Sequence, residues 1–225
     1  MKCLKCSSSN VCKNGKMYGM QRYKCKDCNY NYTKGRNSKD RSIKRFALEL
    51  YLEGLGFRSI GRILKVSHVS IFNWIKQYGQ NLDLLQNSHE ICVTEIDEMH
   101  SYIGSKKTLS GSGLLLIEYA KEFINFVVGD RSTRTGKELW EGVKDRAKGI
   151  IATDYWKPYE KFVPKDKHIQ SKAHTYTIEG YNSLFRHFLA RMRRKSKCYS
   201  KSIKMLEYSV KLLILKRNGL LSILD

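Results

Sequence analysis

The chain has 225 residues, of which 41% are hydrophobic and 11% aromatic, a composition that suits a folded core and excludes a disordered chain. Its formal net charge of +21, from 42 Lys and Arg against 21 Asp and Glu, predicts a polyanionic partner, either nucleic acid or an anionic membrane surface. No apolar run approaches the roughly 18 residues of a membrane span, and MKCLKC lacks the apolar stretch of a secretory signal, so we expect a soluble, intracellular nucleic-acid-binding protein.

Two C-x-x-C pairs open the chain, Cys3 with Cys6 and Cys25 with Cys28. Each C-x-x-C turn presents two thiolates to one side, so two such turns supply the four ligands of a tetrahedral zinc ion. We therefore predict a zinc ribbon over residues 1–36. A module of under about 40 residues cannot build a self-sufficient core, so we expect zinc to contribute on the order of 10 kcal/mol to its folding.

The three remaining cysteines have no C-x-x-C partner. Cys12 could replace a cysteine of either pair, but we interpret it as a free thiol. We interpret Cys92 and Cys198 as plain buried or surface thiols. Seven cysteines, an odd number, argue against a disulfide framework in a reducing compartment.

Residues 40–80 predict three short helices, with Gly54 and Gly56 ending the first and Ser67 capping the third. The side chains predicted to face inward are Ile43, Phe46, Ala47, Leu50, Tyr51, Ile60, Ile63, Leu64, Val69, Phe72 and either Ile75 or Trp74. Two helices joined by a tight turn after a first helix are typical of a helix-turn-helix DNA-binding domain. The side chains predicted to contact DNA from the third helix are His68, Ser70, Asn73, Lys76 and Gln77. A small helical bundle with a solvated face is the alternative.

Residues 90–225 begin with the alternating stretch EICVTEIDEMHSYIG, which predicts a strand, and GLLLIEYA and EFINFVVGD predict two more. STRTGKELWEGVKDRA predicts a helix, KGIIATD a strand, KHIQ a further short strand and HTYTIEGYNSLFRHFLARMRRK a helix. Three strands, helix, strand, helix is the order of an α/β ribonuclease-H-like domain. The predicted fold class is thus multi-domain α+β, with a zinc ribbon and a helix-turn-helix before this domain.

Three acidic residues can converge in that arrangement: Asp97 in the first strand, Asp154 after the fourth and Glu179 in the last helix. Three carboxylates can hold two Mg²⁺ or Mn²⁺ ions, which is the requirement of in-line attack on a phosphodiester. Each has an alternative: Glu98 could replace Asp97, Asp154 could form a turn, and Glu179 could be only an acid favoured by the helix dipole. We expect Glu98 to face the other side of the strand and its replacement by Gln to be harmless.

A basic row follows Glu179. It either contacts the phosphates of DNA beside the metal or is a solvated stripe, and it comprises Asn182, Arg186, Arg191, Arg193 and Arg194.

The chain resembles the transposases of the bacterial insertion-sequence-one family in four stretches that keep their order: CKNGKMYGMQRYKCKDC, EIDEMHSYIGSKK, TDYWKPYEKF and TYTIEGYNSLFRHFLARMRRKSKCYSKS. The resemblance implies a cut-and-join DNA transposase whose aspartate, aspartate, glutamate triad falls on Asp97, Asp154 and Glu179. It places the family's zinc ribbon and helix-turn-helix on the first two modules. His100 departs from the family pattern, in which a tryptophan is common at this position.

The resemblance also implies partners: double-stranded DNA, as the element's terminal inverted repeats and as target, bound by a homo-oligomer, a dimer on DNA. No membrane is expected, and the expected location is cytoplasmic and nucleoid-associated in a prokaryote. Two other functions compete with this one. A zinc-ribbon and helix-turn-helix regulator would bind DNA without cutting it, and a ribonuclease-H-like nuclease or resolvase would cleave without joining.

Overall fold

The computed structural model describes residues 2–33, 40–82, 91–104, 112–119, 122–171, 176–193 and 196–221, with the backbone alone for 91–94, 112–119, 122–124 and 176–179. The chain forms two compact units, Met1–Arg41 and Ser42–Asp225. No helix in the described ranges combines the length and apolar character needed to cross a bilayer.

The first unit is a three-stranded antiparallel sheet in the order β1-β2-β3, formed by β1 (Val11–Met17), β2 (Met20–Cys25) and β3 (Asn31–Thr33). Tyr18 and Gly19 both adopt positive φ angles, 51° and 76°, which are the angles of a tight two-residue hairpin turn. Its core consists of little more than Cys3, Cys25 and Tyr32. So small a core supplies little hydrophobic free energy, which makes an additional cross-link necessary.

The second unit contains a five-stranded sheet in the order β6-β5-β4-β7-β8. Its strands are β4 (Ile91–Ser101), β5 (Ser112–Tyr119), β6 (Glu122–Asp130), β7 (Ala147–Thr153) and β8 (His168–Gln170). The pairs β4–β5 and β5–β6 are antiparallel, whereas β7 lies parallel to β4 and β8 parallel to β7. The predicted meander and the two later strands are therefore present, and the unit is of mixed α/β class.

Six α-helices accompany the two sheets in the described residues. They are α1 (Arg41–Leu52), α2 (Phe57–Leu64), α3 (His68–Gln80), α4 (Thr133–Glu141), α5 (Tyr176–Phe188) and α6 (Ile203–Arg217). Helix α6 was not predicted from the sequence, because its run of buried side chains from Leu212 to Leu215 interrupts the polar spacing and obscures the helical period. A helix that is apolar on most sides is stable only where neighbours cover it.

Two hydrophobic cores lie on opposite faces of the five-stranded sheet. Met99 of β4 packs in one core with helices α1, α3, α5 and α6, while Ile96 packs in the other with Leu139 and Trp140 of α4. Because side chains alternate along a strand, these two residues fix the face of every described neighbour in β4.

Helices α1–α3 belong to the larger core, so they share one compact unit with the sheet. Ser67 caps α3 as predicted, accepting a hydrogen bond from the backbone N–H of Ser70 at 3.0 Å. Lys65 has a left-handed φ of 52° that reverses the chain between α2 and α3. Gly79 allows α3 to approach α6, because an added Cβ would lie 2.4 Å from Cβ of Tyr208.

The prediction of which side chains of α1–α3 face inward is partly wrong. Phe46, Ile63 and Val69 are 47%, 54% and 53% exposed, whereas the inward positions missed by the prediction are Leu48, Leu52 and Ile71. The helices are short, and a rotation of one residue moves the apolar stripe by about 100°. The larger core, which also contains the unpredicted α6, buries these positions instead.

Candidate active site and cysteine cluster

Asp97 lies in the middle of the sheet, on β4, which has β5 on one side and β7 on the other. It shares the face of Met99, the face covered by α5 and α6. Asn182 of α5 donates a hydrogen bond from Nδ2 to Asp97 Oδ2 at 2.5 Å. Glu98 points to the opposite face, as expected.

Asp154 follows the last residue of β7. The parallel register pairs Ile96 with Thr153, so Asp97 and Asp154 come next to each other directly after that pair. Asp154 Oδ1 accepts a hydrogen bond from the backbone N–H of Trp156 at 2.9 Å, which holds the carboxylate in a turn. Asp154 therefore also takes part in a turn, as the alternative interpretation expected. Its Oδ2 is not used in this contact and can bind another partner.

The backbone of Glu179 lies in α5, one helical turn before Asn182. Residues three apart share a side of a helix, so the contact between Asn182 and Asp97 brings this side of α5 against β4. The side chain of Glu179 lies outside the described part of the structure. Asn182 itself is 4% exposed, and its Oδ1 has no hydrogen-bond partner among the described atoms. Its contact with DNA stays a prediction.

Glu98 is a buried carboxylate beside the two aspartates. Burial raises its pKa to about 7, Arg131 opposes that shift, and the charges of Asp154 and Asp97 add to it. Oε2 of Glu98 accepts from Nη2 of Arg131 at 2.9 Å, whereas Oε1 has no hydrogen-bond partner among the described atoms.

An open cleft of about 490 Å³ adjoins Asp154. Its other lining residues are Arg131, Tyr155, Trp156, Lys157 and Pro158. Arg131 lies over the ring of Trp156, with its guanidinium carbon 5.4 Å from the ring centroid. Beneath the cleft, burial raises the pKa of Tyr159 well above its ordinary value. Arg131 was not singled out from the sequence, although it is a basic residue directly after the third strand of the predicted meander.

The residues of the predicted basic row differ in their exposure to solvent in the structure. Arg191 is 8% exposed, and its guanidinium is bound within the protein: Nε donates to Tyr51 Oη at 2.6 Å and Nη1 to Ser200 Oγ at 2.9 Å. Its contact with DNA stays a prediction. Arg186 is half-buried, whereas Arg193 is exposed and donates to the carbonyl of His187. Arg194 lies outside the described residues. The alternation arises because the chain leaves α5 for a short 3₁₀ turn at Ala190–Met192, which a continuous helical row did not anticipate.

The predicted outer face of α3 is open to solvent. His68, Asn73, Lys76 and Gln77 are exposed, and Ser70 is half-buried with its hydroxyl 3.1 Å from that of Ser67. His100 is exposed at the end of β4.

The four predicted zinc ligands converge in the first unit. The sulfur atoms of Cys3, Cys6, Cys25 and Cys28 all lie within 4.8 Å of one another. The Sγ–Sγ distances from Cys3 to Cys28 and from Cys6 to Cys25 are both 3.6 Å, near the roughly 3.8 Å edge of a tetrahedron with Zn–S bonds of about 2.3 Å. Backbone N–H groups of Cys6 and Lys5 lower the pKa of Cys3 to about 6, whereas contacts with the other thiols of the cluster raise the pKa of Cys6 to about 12. The clustering of the sulfur atoms therefore carries the zinc prediction.

The remaining cysteines stand apart from this cluster. Cys12 Sγ donates to the carbonyl of Lys24 at 3.6 Å, and Cys198 is an exposed thiol. The side chain of Cys92 lies outside the described residues. The free thiol interpretation of Cys12 agrees with this contact.

Comparison with known proteins identifies similar sequences. The family model described as IS1 transposase matches residues 90–218. Insertion element iso-IS1n protein InsB of Shigella dysenteriae is 30% identical over 115 residues, which cover 51% of this chain and 88% of that protein. Insertion element IS1 4 protein InsB of Escherichia coli (strain K12) is 32% identical over 118 residues, which cover 52% and 71%.

Among solved structures, the crystal structure of the Mos1 Strand Transfer Complex aligns with 86% of this chain and 81% of its own. The TM-score is 0.31 and the sequence identity 10%, so this likeness carries no argument about the fold.

Proposed function

The chain belongs to the IS1 transposase family, and on that premise we propose that Asp97, Asp154 and Glu179 form the catalytic triad with which it cuts and joins DNA. As a member of that family it is a DDE-type DNA transposase. The observation that carries the assignment of residues is the hydrogen bond from Asn182 to Asp97, because it brings the helix of Glu179 against the strand of Asp97.

The donor atoms suit a hard divalent cation. Asp97 and Asp154 each directly follow a paired residue of two parallel strands, Ile96 and Thr153, so two negative charges come together there and need a counter-charge. The buried Oδ1 of Asn182 has no hydrogen-bond partner among the described atoms and adds a neutral oxygen beside them. These residues and Glu179 would hold Mg²⁺ or Mn²⁺, which when bound supply Lewis acidity to a phosphoryl transfer.

The protein's own side chains and backbone contribute by fixing the positions of the carboxylates. Asn182 fixes one carboxylate oxygen of Asp97, and the backbone N–H of Trp156 fixes one of Asp154. The reaction requires in-line attack on phosphorus, first by water and then by the liberated 3′-hydroxyl. No protein nucleophile is needed, so no covalent intermediate between protein and DNA is proposed.

We propose that the other parts recognise DNA. The four-cysteine sheet would be a zinc ribbon, α1–α3 a helix-turn-helix reading the terminal inverted repeats through the outer face of α3, and the five-stranded unit a ribonuclease-H-like catalytic domain. The support is the cysteine geometry, the exposed polar face of α3 and the strand order with one antiparallel and one parallel half. The protein would act as a homo-oligomer, a dimer on DNA, in the bacterial cytoplasm and nucleoid.

The test is strand transfer by the purified full chain on labelled element ends, with Mg²⁺ and without it. Cleaved and joined products should both appear with Mg²⁺ and be absent without it. Binding with no cleavage in Mg²⁺ would favour a regulator, and cleavage without joining would favour a nuclease or resolvase.

A further inference from the structure

Arg131 is held more firmly than an exposed arginine usually is. Its backbone lies between the end of β6 and the start of α4, where Asp130 Oδ1 accepts from Ser132 Oγ at 2.6 Å and from Thr135 Oγ1 at 2.7 Å. Its guanidinium is bound on one side by the buried carboxylate of Glu98 and lies over Trp156 on the other. The side chain of Glu98 is only 4% exposed, while that of Arg131 is 44% exposed.

The exposed part of Arg131 faces the cleft that also contains Asp154. Lys157 lines the same cleft, so two cations border a carboxylate proposed to face the scissile phosphate. An arginine whose rotamer is already fixed loses little conformational entropy when it binds an anion, and its remaining N–H groups can bind phosphate in a fork.

We propose that this cleft is a phosphate subsite for the DNA strand next to the scissile bond, with Arg131 as the contact and Glu98 as the residue that positions Arg131. The inference rests on the proposed function, because it takes Asp154 as part of the catalytic site. It also revises the expectation that Glu98 is dispensable: Glu98 faces away from Asp97, but it holds a residue that lines the cleft.

If the ion pair between Glu98 and Arg131 were only structural, a substitution of Glu98 would have a different effect on DNA binding. If Arg131 only neutralised Glu98, Glu98→Gln would remove a negative charge near bound DNA and leave binding unchanged or tighter. If Glu98 positions Arg131, the same substitution weakens binding although it makes the protein more positive. The sign of the change therefore separates the two roles.

The test measures affinity of the full chain for a labelled element end across a salt series. Arg131→Gln should weaken binding about ten-fold, the loss expected for a hydrogen bond to a charged group. The slope of log affinity against log salt should fall by about 0.9, the value for one phosphate contact. Arg134→Gln is the matched control, because it removes the same charge three residues away at an exposed position outside the cleft. Equal effects of the two substitutions would overturn the proposal.

Glu98 is tested in the same series. Glu98→Gln should weaken binding several-fold, and the double variant with Arg131→Gln should bind no worse than Arg131→Gln alone, because one residue acts through the other. Unchanged or tighter binding by a folded Glu98→Gln protein would refute the positioning role. If thermal melting shows that this variant does not fold, the comparison of Arg131 with Arg134 still decides the phosphate contact.

Cleavage assays on the same preparations keep the two proposals apart. If the wild type cleaves in Mg²⁺ while Arg131→Gln and Arg134→Gln bind alike, the phosphate subsite is wrong and the catalytic assignment stands. If the triad variants still cleave, the catalytic assignment is wrong whatever Arg131 does.

Discussion

The proposed triad of Asp97, Asp154 and Glu179 gives the first prediction. Asp97→Asn, Asp154→Asn and Glu179→Gln each keep the side-chain shape and remove the charge that would hold a divalent cation. Each should abolish cleavage and joining while binding to element ends stays within a few-fold. Strand-transfer and gel-shift assays on the same preparations measure both.

The matched control for these substitutions is Asp166→Asn, which removes the same charge at an exposed position of the same unit. It should cleave like the wild type. If all three triad variants still cleaved DNA, Asp97, Asp154 and Glu179 would not be the catalytic residues.

Asn182 gives the second prediction. Asn182→Ala removes the hydrogen bond to Asp97 Oδ2 but keeps all three proposed acidic ligands. Loss of a residue that orients a metal ligand costs roughly 10- to 100-fold in metal affinity or activity. Cleavage should therefore fall by that factor at low Mg²⁺ and recover in part at high Mg²⁺, as an Mg²⁺ titration of the cleavage rate measures.

Ser183→Ala is the control for Asn182, because Ser183 is the exposed neighbour on the same helix. It should leave the Mg²⁺ dependence unchanged. An Asn182→Ala protein with normal Mg²⁺ dependence would mean that the contact with Asp97 has no part in catalysis.

At the scale of residues, the sequence predicts the position of a side chain where the alternation along a strand is enough to assign its face. Alternation put Asp97 and Glu98 on opposite faces, and the structure agrees, because Ile96 and Met99 lie in different cores. Arg191 could not be predicted in this way. Its guanidinium is buried against Tyr51 of α1, a contact across 140 positions that no local pattern encodes.

At the scale of secondary-structure elements, the sequence predicted the strands and the capped helices. It predicted only in part which side chains of the helices lie in the core. The strands β4–β8 have clear alternation or short apolar runs between turns. In helix α6 the buried run from Leu212 to Leu215 obscures the helical period, and α1–α3 pack with it in one core. Because α1–α3 share a core with α6, we expect residues 40–80 to need the rest of the second unit for stability.

The contact between α3 and α6 gives the third prediction. Gly79→Ala would place a Cβ 2.4 Å from Cβ of Tyr208, so the helices must separate. Overpacking of this kind costs roughly 1–3 kcal/mol, and the free energy of unfolding from urea titration should fall by about that amount.

Gly180→Ala is the matched substitution on α5. Among the described residues, nothing outside the nearby backbone of α5 lies within 4 Å of the position its Cβ would take, and Gly180 is exposed. Alanine in a helix interior is favoured over glycine by roughly 0.5–1 kcal/mol, so this variant should be slightly more stable than the wild type. If Gly79→Ala were equally stable, the close approach of α3 and α6 would be wrong.

At the scale of the whole molecule, two units with different sources of stability stand in one chain. The second unit has two hydrophobic cores, whereas the first has a core of three buried residues, two of them cysteines. The C-x-x-C spacing predicted this contrast, because it indicates a module that relies on metal. The net charge of +21 predicts in addition that affinity for DNA falls steeply with salt.

The last prediction follows from this contrast. The full chain should contain about one zinc per molecule with tetrahedral sulfur coordination, and Cys25→Ser should lose it, because Cys25 is fully buried in the cluster. Cys12→Ser is the control and should keep its zinc, since Cys12 Sγ contacts the carbonyl of Lys24 instead. Removal of zinc should unfold the first unit and leave the main thermal transition of the second in place, because the two have separate cores. Metal analysis and circular dichroism melting measure both effects; a zinc-free wild type, or a second unit that unfolds on chelation, would contradict this division of stability.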